Sequence, residues 1–136
     1  MTIEESGQTV LELKDLKTHF VTRWGVVKAV DGVSVKLKKG ETLGVVGESG
    51  SGKSVTSLSM MRLVPSPPGH IVGCKILLEG EDILQLSEQD MQQVRGGRVA
   101  MVLQDPMTAL NPVFDIEDQV GEAMKIHRGL KGGGLK

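Results

Sequence analysis

The chain is poor in aromatic residues and has a single cysteine. Its 136 residues include two phenylalanines, one tryptophan and no tyrosine. We therefore expect an aliphatic core, in which the seven methionines fill irregular gaps. Because Cys74 has no second cysteine to pair with, an internal disulfide bond is excluded, which is typical of a protein kept in a reducing compartment.

Long apolar runs and an excess of charge are also missing. No run approaches the roughly 20 apolar residues of a spanning helix, and the acidic opening MTIEESGQTV is not a secretory signal. We expect any membrane association to go through a partner. The net charge of −1 gives no case for a nucleic-acid partner. The basic residues of the first third alternate with apolar ones, as on solvated strand faces, and they are Lys14, Lys17, Arg23, Lys28, Lys36, Lys38 and Lys39.

The clearest chemical signal is GESGSGKS at 47–54, which fits G-x-x-x-x-G-K-[ST] at each fixed position. The apolar run TLGVV at 42–46 predicts a buried parallel strand before it. The spacing of Val55, Leu58 and Met61 predicts a helix after it. Strand, glycine loop and helix form the context in which this pattern binds phosphate.

The residue types of the loop suit a triphosphate. Gly50 and Gly52 carry no Cβ, so backbone N–H groups can approach the phosphates closely. Lys53 can reach the β- and γ-phosphates as a point charge, and the hydroxyl of Ser54 can bind Mg²⁺. Four further residues complete the candidate site, mainly through their backbone: Gly47, Glu48, Ser49 and Ser51.

The rest of the chain alternates between strand and helix patterns. Period-two alternation and apolar runs predict strands at 10–20, 26–37, 74–78 and 98–103. The first two should be interrupted near Lys14–Asp15 and Asp31–Gly32, and turns are expected at 21–25, 38–41 and 79–82, with a proline-rich loop at 65–70. Further helices are predicted from the N-cap Ser87 to Gly96–Gly97 and over 115–128, closed by Gly129.

Gln104 follows the second apolar run, RVAMVL at 98–103. Ligands of α/β sheets sit at the carboxyl ends of strands, where a glutamine can present its carbonyl to Mg²⁺ or position a water. Taken alone, a glutamine at that position is more often a polar turn residue.

In combination, GESGSGKS and VAMVLQDPMTALNP resemble the ATP-binding subunits of ABC transporters. QDPMTALNP and the opening LKTHFVTRWGVVKAVDGVSVKLKKGETLGVVGESGSGKS are similar to the branch that imports di- and oligopeptides, or nickel. The resemblance implies an α/β fold, a P-loop NTPase (RecA-like) core with an N-terminal antiparallel β subdomain. Residues 10–130 would form part of an ABC nucleotide-binding domain, ending before its signature motif, with flexible tails at 1–9 and 131–136.

The resemblance also implies site residues, cofactors and partners. Residues 47–54 match the family's Walker A loop, and Gln104 matches the Q-loop glutamine that contacts Mg²⁺ and the region docking on the permease. Phe20 matches the aromatic residue that stacks on adenine, with Trp24 as the alternative. The implied cofactors are ATP and Mg²⁺. The implied partners are membrane permease subunits, a second ATP-binding subunit and, indirectly, an extracytoplasmic solute-binding protein, with the chain peripheral at the cytoplasmic face of the inner membrane.

Several family features are missing from these 136 residues. There is no Leu-Ser-Gly-Gly-Gln signature and no second apolar strand ending in Asp-Glu. His127 lies in a predicted helix and is not the switch histidine, while His19 and His70 are expected at the surface or in turns. We therefore expect nucleotide binding without autonomous hydrolysis and exposed apolar residues on the last helix. We also expect that the chain is marginally folded, self-associates or needs a partner. The alternatives are a non-catalytic P-loop remnant and a small-molecule P-loop kinase, and the transported solute is not specified.

Overall fold

The computed structural model of the chain describes residues 7–104 and 110–129, which divide into two compact units between Leu86 and Ser87. The strands are β1 (Thr9–Thr22), β2 (Gly25–Lys38), β3 (Gly69–Ile71), β4 (Lys75–Leu78) and β5 (Glu81–Asp82). The helices are α1 (Lys53–Met60), α2 (Glu88–Val94) and α3 (Ile116–Arg128), and a 3₁₀ turn covers Ile83–Gln85. Within the described ranges, none of the helices has the length and apolar character needed to cross a membrane.

The strand β1 lies at the centre of the first unit. The sheet has the order β2-β1-β4-β5, and β3 also pairs with β1. All the pairings of β1 are antiparallel: with β2 along its length, with β4 through Leu11 to Lys14, and with β3 through Thr18 to Phe20. Because β2 takes one edge of β1, β3 and β4 share the other edge. This confirms the predicted antiparallel β structure at the front of the chain.

Both predicted interruptions of the first hairpin are present as irregularities of the ladder. The register shifts between Leu13 and Leu16, and Asp15 between them has a φ of 53°. A second register shift lies between Leu16 and Lys17, where Gly32 of β2 is left unpaired and has a φ of 91°. Aspartate and glycine tolerate this left-handed region better than other residues. The backbone N–H of Asp15 donates to Oγ of Ser34 at 2.9 Å, so the bulge keeps a hydrogen bond.

The core of the first unit is aliphatic, as the shortage of aromatic residues predicts. Its buried side chains are Leu13, Leu16, Val30, Met61, Ile76, Leu78 and Ile83. The strand β1 contributes two of them, and the others come from β2, β4 and the segments that follow α1 and β5. Two hydroxyl residues, Thr18 and Ser59, are buried with them.

The lysines of the first hairpin lie on its solvated surface, as predicted. Lys36 and Lys14 contact Glu12 at 3.0 Å and 3.4 Å, and Lys28 contacts Asp31 at 3.2 Å, with more than half of each lysine side chain exposed. The hydrogen bond from Lys36 holds the pKa of the Glu12 carboxyl below its usual value. These cations are therefore balanced by acidic neighbours on the sheet surface.

The two histidines of the first unit lie in strands, where His70 is exposed, as expected, and His19 is half-buried. His19 belongs to β1, and its Nε2 lies 3.7 Å from Oδ1 of Asp31. His70 belongs to β3, where it pairs with His19. The proline-rich loop is consequently shorter than predicted, because β3 begins at Gly69 and fills the remaining edge of β1.

The predicted buried strands at 42–46 and 98–103 are wrong. Neither segment forms a strand, and the side chains of Val46 and Val102 are 94% and 97% exposed. An apolar run becomes a buried parallel strand only when neighbouring strands satisfy its backbone and cover its side chains. Among the described residues, no strand pairs with either segment. Val99 forms one isolated bridge, with Arg95, which is not part of a strand.

The helices of the second unit agree closely with the sequence. Oγ of Ser87 accepts a hydrogen bond from the backbone N–H of Asp90 at 3.2 Å, which confirms the predicted N-cap of α2. The helix α3 is closed by Gly129 in the left-handed conformation, as predicted. Its apolar residues Ile116, Val120 and Met124 are exposed. Self-association through this surface stays a prediction. Sedimentation at several protein concentrations, which measures the oligomeric state, tests it.

A pair of leucine substitutions separates the buried sheet from the exposed run that follows it. Leu16 is 0% exposed on β1 and Leu43 is 47% exposed. We expect Leu16→Ala to lower the free energy of unfolding by about 2–5 kcal/mol, because it leaves a cavity in the core. We expect Leu43→Ala to lower it by less than about 1 kcal/mol. Urea denaturation of both variants measures the difference, and equal losses would show that 42–46 is packed after all.

Candidate phosphate-binding site

The glycine loop at 47–54 leads directly into α1, as the motif predicts. Gly50 and Gly52 have φ values of 80° and 89°, which favour glycine because a Cβ is strained there. The backbone N–H of Ser51 donates to the carbonyl oxygen of Glu48 at 3.2 Å. The loop therefore turns on its own backbone and delivers Lys53 to the first position of the helix.

Gly52 also holds the start of α1 against β2. A Cβ placed on Gly52 would lie 2.4 Å from the carbonyl oxygen of Ala29 and 3.6 Å from Cγ2 of Val30. Because the first distance is far below any real carbon–oxygen contact, only glycine fits here without moving the backbone. Sequence reasoning assigned Gly52 to phosphate approach and missed this contact, since no local signal connects residues 52 and 29.

Lys53 is folded over the loop and held by its backbone. Nζ of Lys53 donates to the carbonyl oxygens of Gly47 and Glu48, each at 2.6 Å, and to Oγ of Ser51 at 3.2 Å. A Cβ on Gly47 would lie 2.6 Å from Oγ of Ser51, so a larger residue there would require the serine hydroxyl to rotate away. Carbonyl oxygens are neutral acceptors, and a phosphate oxygen makes stronger, charge-assisted hydrogen bonds with an ammonium group. The cation is thus placed on the loop before any anion arrives.

The start of α1 offers backbone donors to an anion. In the described part of the chain, no side chain caps this end of the helix. The first N–H to bond within the helix is that of Thr56, which donates to the carbonyl of Gly52 at 2.8 Å. The preceding N–H groups of the first turn have no acceptor within the helix, and the positive end of the helix dipole lies there. Together with Lys53 and the exposed Ser54, they fit phosphate oxygens and a hard cation.

The two candidate adenine-stacking residues differ in their surroundings. Phe20 lies in β1 and is half-buried, with its Cε1 only 3.0 Å from where a Cβ on Gly69 would lie. Trp24 lies in the turn between β1 and β2 and is 82% exposed, with the guanidinium of Arg23 4.0 Å from its ring centroid. The choice of Phe20 over Trp24 stays a prediction. Gly69 was missed by sequence reasoning because it is far from Phe20 along the chain.

Gln104 belongs to the second compact unit and is exposed. Since 98–103 does not form a strand, Gln104 does not lie at the carboxyl end of one. Residues 105–109 of the motif QDPMTALNP lie outside the described residues. Its role towards Mg²⁺ therefore rests on the resemblance alone and stays a prediction.

Comparison with known proteins gives the sequence context of this loop. The family model described as ABC transporter matches residues 30–134, which include the glycine loop and Gln104. The chain belongs to the ABC transporter family. It is 52% identical over 121 residues to the oligopeptide transport ATP-binding protein OppD of Bacillus subtilis, covering 89% of the chain and 34% of that relative. It is 48% identical over 127 residues to a probable peptide ABC transporter ATP-binding protein of Sinorhizobium fredii, covering 93% of the chain and 38% of that relative.

A solved ABC cassette shows the same fold. The dimeric structure of MJ0796, a bacterial ABC transporter cassette, superposes with a TM-score of 0.77 at 20% identity, covering 91% of this chain and 51% of that one. The predicted fold class, part of an ABC-type nucleotide-binding domain with an antiparallel β subdomain, is thereby confirmed. The chain spans only 34–38% of the length of the two ABC relatives named above.

Two glycines with similar backbone conformations test the contact between Gly52 and Ala29. Gly40 has a φ of 82°, and a Cβ added to it would have nothing within 4 Å, whereas a Cβ on Gly52 meets Ala29. We expect Gly40→Ala to cost roughly 1–2 kcal/mol of stability, from backbone strain alone. Gly52→Ala should cost more, because the start of α1 must also move away from β2. Thermal unfolding of both variants measures this, and equal losses would contradict the contact.

Proposed function

We propose that this chain is the MgATP-binding part of an ABC importer subunit of the peptide branch. The observation that carries the proposal is the placement of Nζ of Lys53, 2.6 Å from the carbonyls of Gly47 and Glu48, beside the uncapped start of α1. A cation and a set of backbone donors converge there on one small volume, which suits the phosphates of a nucleotide. The peptide branch is supported by relatives described as peptide or oligopeptide ATP-binding proteins.

The residues of the loop would divide the nucleotide between them. The backbone of Gly47–Ser54 would surround the phosphates, Lys53 would balance their charge, and Phe20, or alternatively Trp24, would stack on adenine. The hydroxyl of Ser54 would bind Mg²⁺, which neutralises phosphate charge when bound. The role of Gln104 towards Mg²⁺ is carried over from the family resemblance alone. Across residues 7–104 and 110–129, no cluster of three or more His, Cys, Asp or Glu side chains could hold a metal ion.

In this proposal, hydrolysis and transport are carried out by a larger assembly of which the chain would be one part. We infer that ATP hydrolysis is coupled to import through membrane permease subunits, with a second ATP-binding subunit and, indirectly, an extracytoplasmic solute-binding protein. The chain would then work peripherally at the cytoplasmic face of the inner membrane. These proposals rest on the relatives' descriptions and on the family.

Lys53→Ala tests the assignment of the loop. We expect the wild-type chain to bind ATP in the presence of Mg²⁺ and the variant to lose at least about tenfold in affinity, because a charge-assisted contact with phosphate is removed. Isothermal titration calorimetry measures both affinities. Lys39→Ala, an exposed lysine of the preceding turn, is the matched control and should bind like wild type. Equal affinity of Lys53→Ala and wild type would refute the assignment.

Three assays, of ATP binding, phosphate release and phosphate transfer, distinguish the proposed role from its alternatives. We expect the purified chain to bind ATP without turnover above background, because its sequence contains no Leu-Ser-Gly-Gly-Gln segment to close a partner's loop. A remnant would bind no ATP at all, and a P-loop kinase would transfer phosphate to a small acceptor. Release of phosphate that disappears in Lys53→Ala would show that the chain hydrolyses ATP alone.

A further inference from the structure

Two buried hydroxyl groups join α1 to β1. The side chains of Thr18 on β1 and Ser59 on α1 are both 0% exposed, and their oxygens lie 2.7 Å apart. Oγ of Ser59 also donates to the carbonyl oxygen of Val55 at 2.7 Å. A serine hydroxyl has one hydrogen, and here it goes to Val55, so Thr18 must donate to Ser59. The hydrogen bonds therefore run in one direction, from Thr18 through Ser59 to Val55.

This chain of hydrogen bonds connects the two parts of the candidate nucleotide site. Val55 is the third residue of α1, two positions after Lys53. Thr18 lies two positions before Phe20 in β1, and residues two apart in a strand project from the same face. The strand with the candidate adenine-stacking ring is thus tied to the helix that begins at the phosphate loop.

The helix α1 has only eight residues, so few contacts determine its orientation. Its start is held against β2 by the close approach of Gly52 to Ala29. Just beyond its end, Met61 is buried in the core and Arg62 donates to the carbonyl oxygens of Ile83 and Leu86. The hydrogen bond between Thr18 and Ser59, nearly two turns after Gly52, provides a second point of attachment on a different strand. Among the residues of the glycine loop and the helix itself, these attachments at opposite ends help to set the tilt of the helix relative to the sheet.

We propose that Thr18 and Ser59 are positioning residues for MgATP, which fix the offset between the base subsite at Phe20 and the phosphate loop. The inference rests on the proposed function and deepens it. A ligand that spans both subsites binds tightly only when their separation matches its own length. Loss of the hydrogen bond should therefore weaken ATP, which contacts both subsites. It should leave inorganic tripolyphosphate, which contacts only the loop, almost unaffected.

The test compares both ligands, each with Mg²⁺, on the full chain and on three variants. Thr18→Val removes the donor with little change in shape, Thr18→Ser retains it, and the double variant Thr18→Val/Ser59→Ala removes both hydroxyls so that no buried donor is left unpaired. We expect ATP affinity to fall about tenfold in Thr18→Val and in the double variant, and to stay within about twofold of wild type in Thr18→Ser. Tripolyphosphate affinity should stay within about twofold throughout.

Three other results would contradict the inference. ATP binding by folded Thr18→Val and double variants at wild-type affinity would show that the hydrogen bond does not position the site. Equal losses for ATP and tripolyphosphate would show that the substitutions act on the loop or on the fold as a whole. If the wild-type chain binds neither ligand, the proposed function fails and the inference fails with it. If wild type binds and Lys53→Ala does not, the proposed function stands whatever the Thr18 variants show.

Discussion

The antiparallel hydrogen bonding of β1 is the interaction on which the first compact unit depends. One edge of β1 pairs with β2, and the other pairs with β4 and β3, so three strands are held by one. β5 joins through β4, and the buried hydroxyl of Thr18 brings in α1. Leu13 and Leu16 of the same strand are buried in the core. The segment that leads into the phosphate loop therefore contributes no strand to this sheet.

The loop illustrates how fixed backbone geometry prepares a charged site. Left-handed glycines at positions 50 and 52 allow the turn, and the contact of Gly52 with Ala29 holds the helix start. The ammonium of Lys53 then finds the carbonyls of Gly47 and Glu48 within hydrogen-bonding distance. These neutral dipoles stabilise the cation less than an anion does, so little is lost when a phosphate replaces them. Such preorganisation reduces the reorganisation that binding requires.

The exposed apolar segments show where a local pattern is not sufficient. The runs at 42–46 and 98–103 have the composition of buried parallel strands, yet Val46 and Val102 are almost fully exposed. Burial of such a run depends on strands beside it, which supply backbone partners and cover both faces. The described residues provide no such neighbours, and the chain spans 34–38% of the length of the two peptide-transport relatives compared above. Apolar composition indicates what a segment can bury, whereas its partners determine whether it does.

Features that depend only on residues close together along the chain could be predicted from the sequence alone. The hairpin of β1 and β2, its interruptions at Asp15 and Gly32, the N-cap Ser87 and the helix after the glycine loop all arise from patterns a few residues long. Their physical causes are local, namely side-chain alternation, tolerated φ values and capping hydrogen bonds. The resemblance to ABC transporters, which the family model confirms, likewise rests on short segments.

Only the tertiary structure decided the contacts between distant parts of the chain. The approach of Gly52 to Ala29, the hydrogen bond from Thr18 to Ser59 and the placement of Phe20 against Gly69 each join residues more than 20 positions apart. No local pattern encodes them, because they exist only once the sheet has brought its strands together. The same reason explains the two strands that did not form. The sequence determines the chemistry of each residue, whereas the packing of the whole unit determines which residues lie next to it in space.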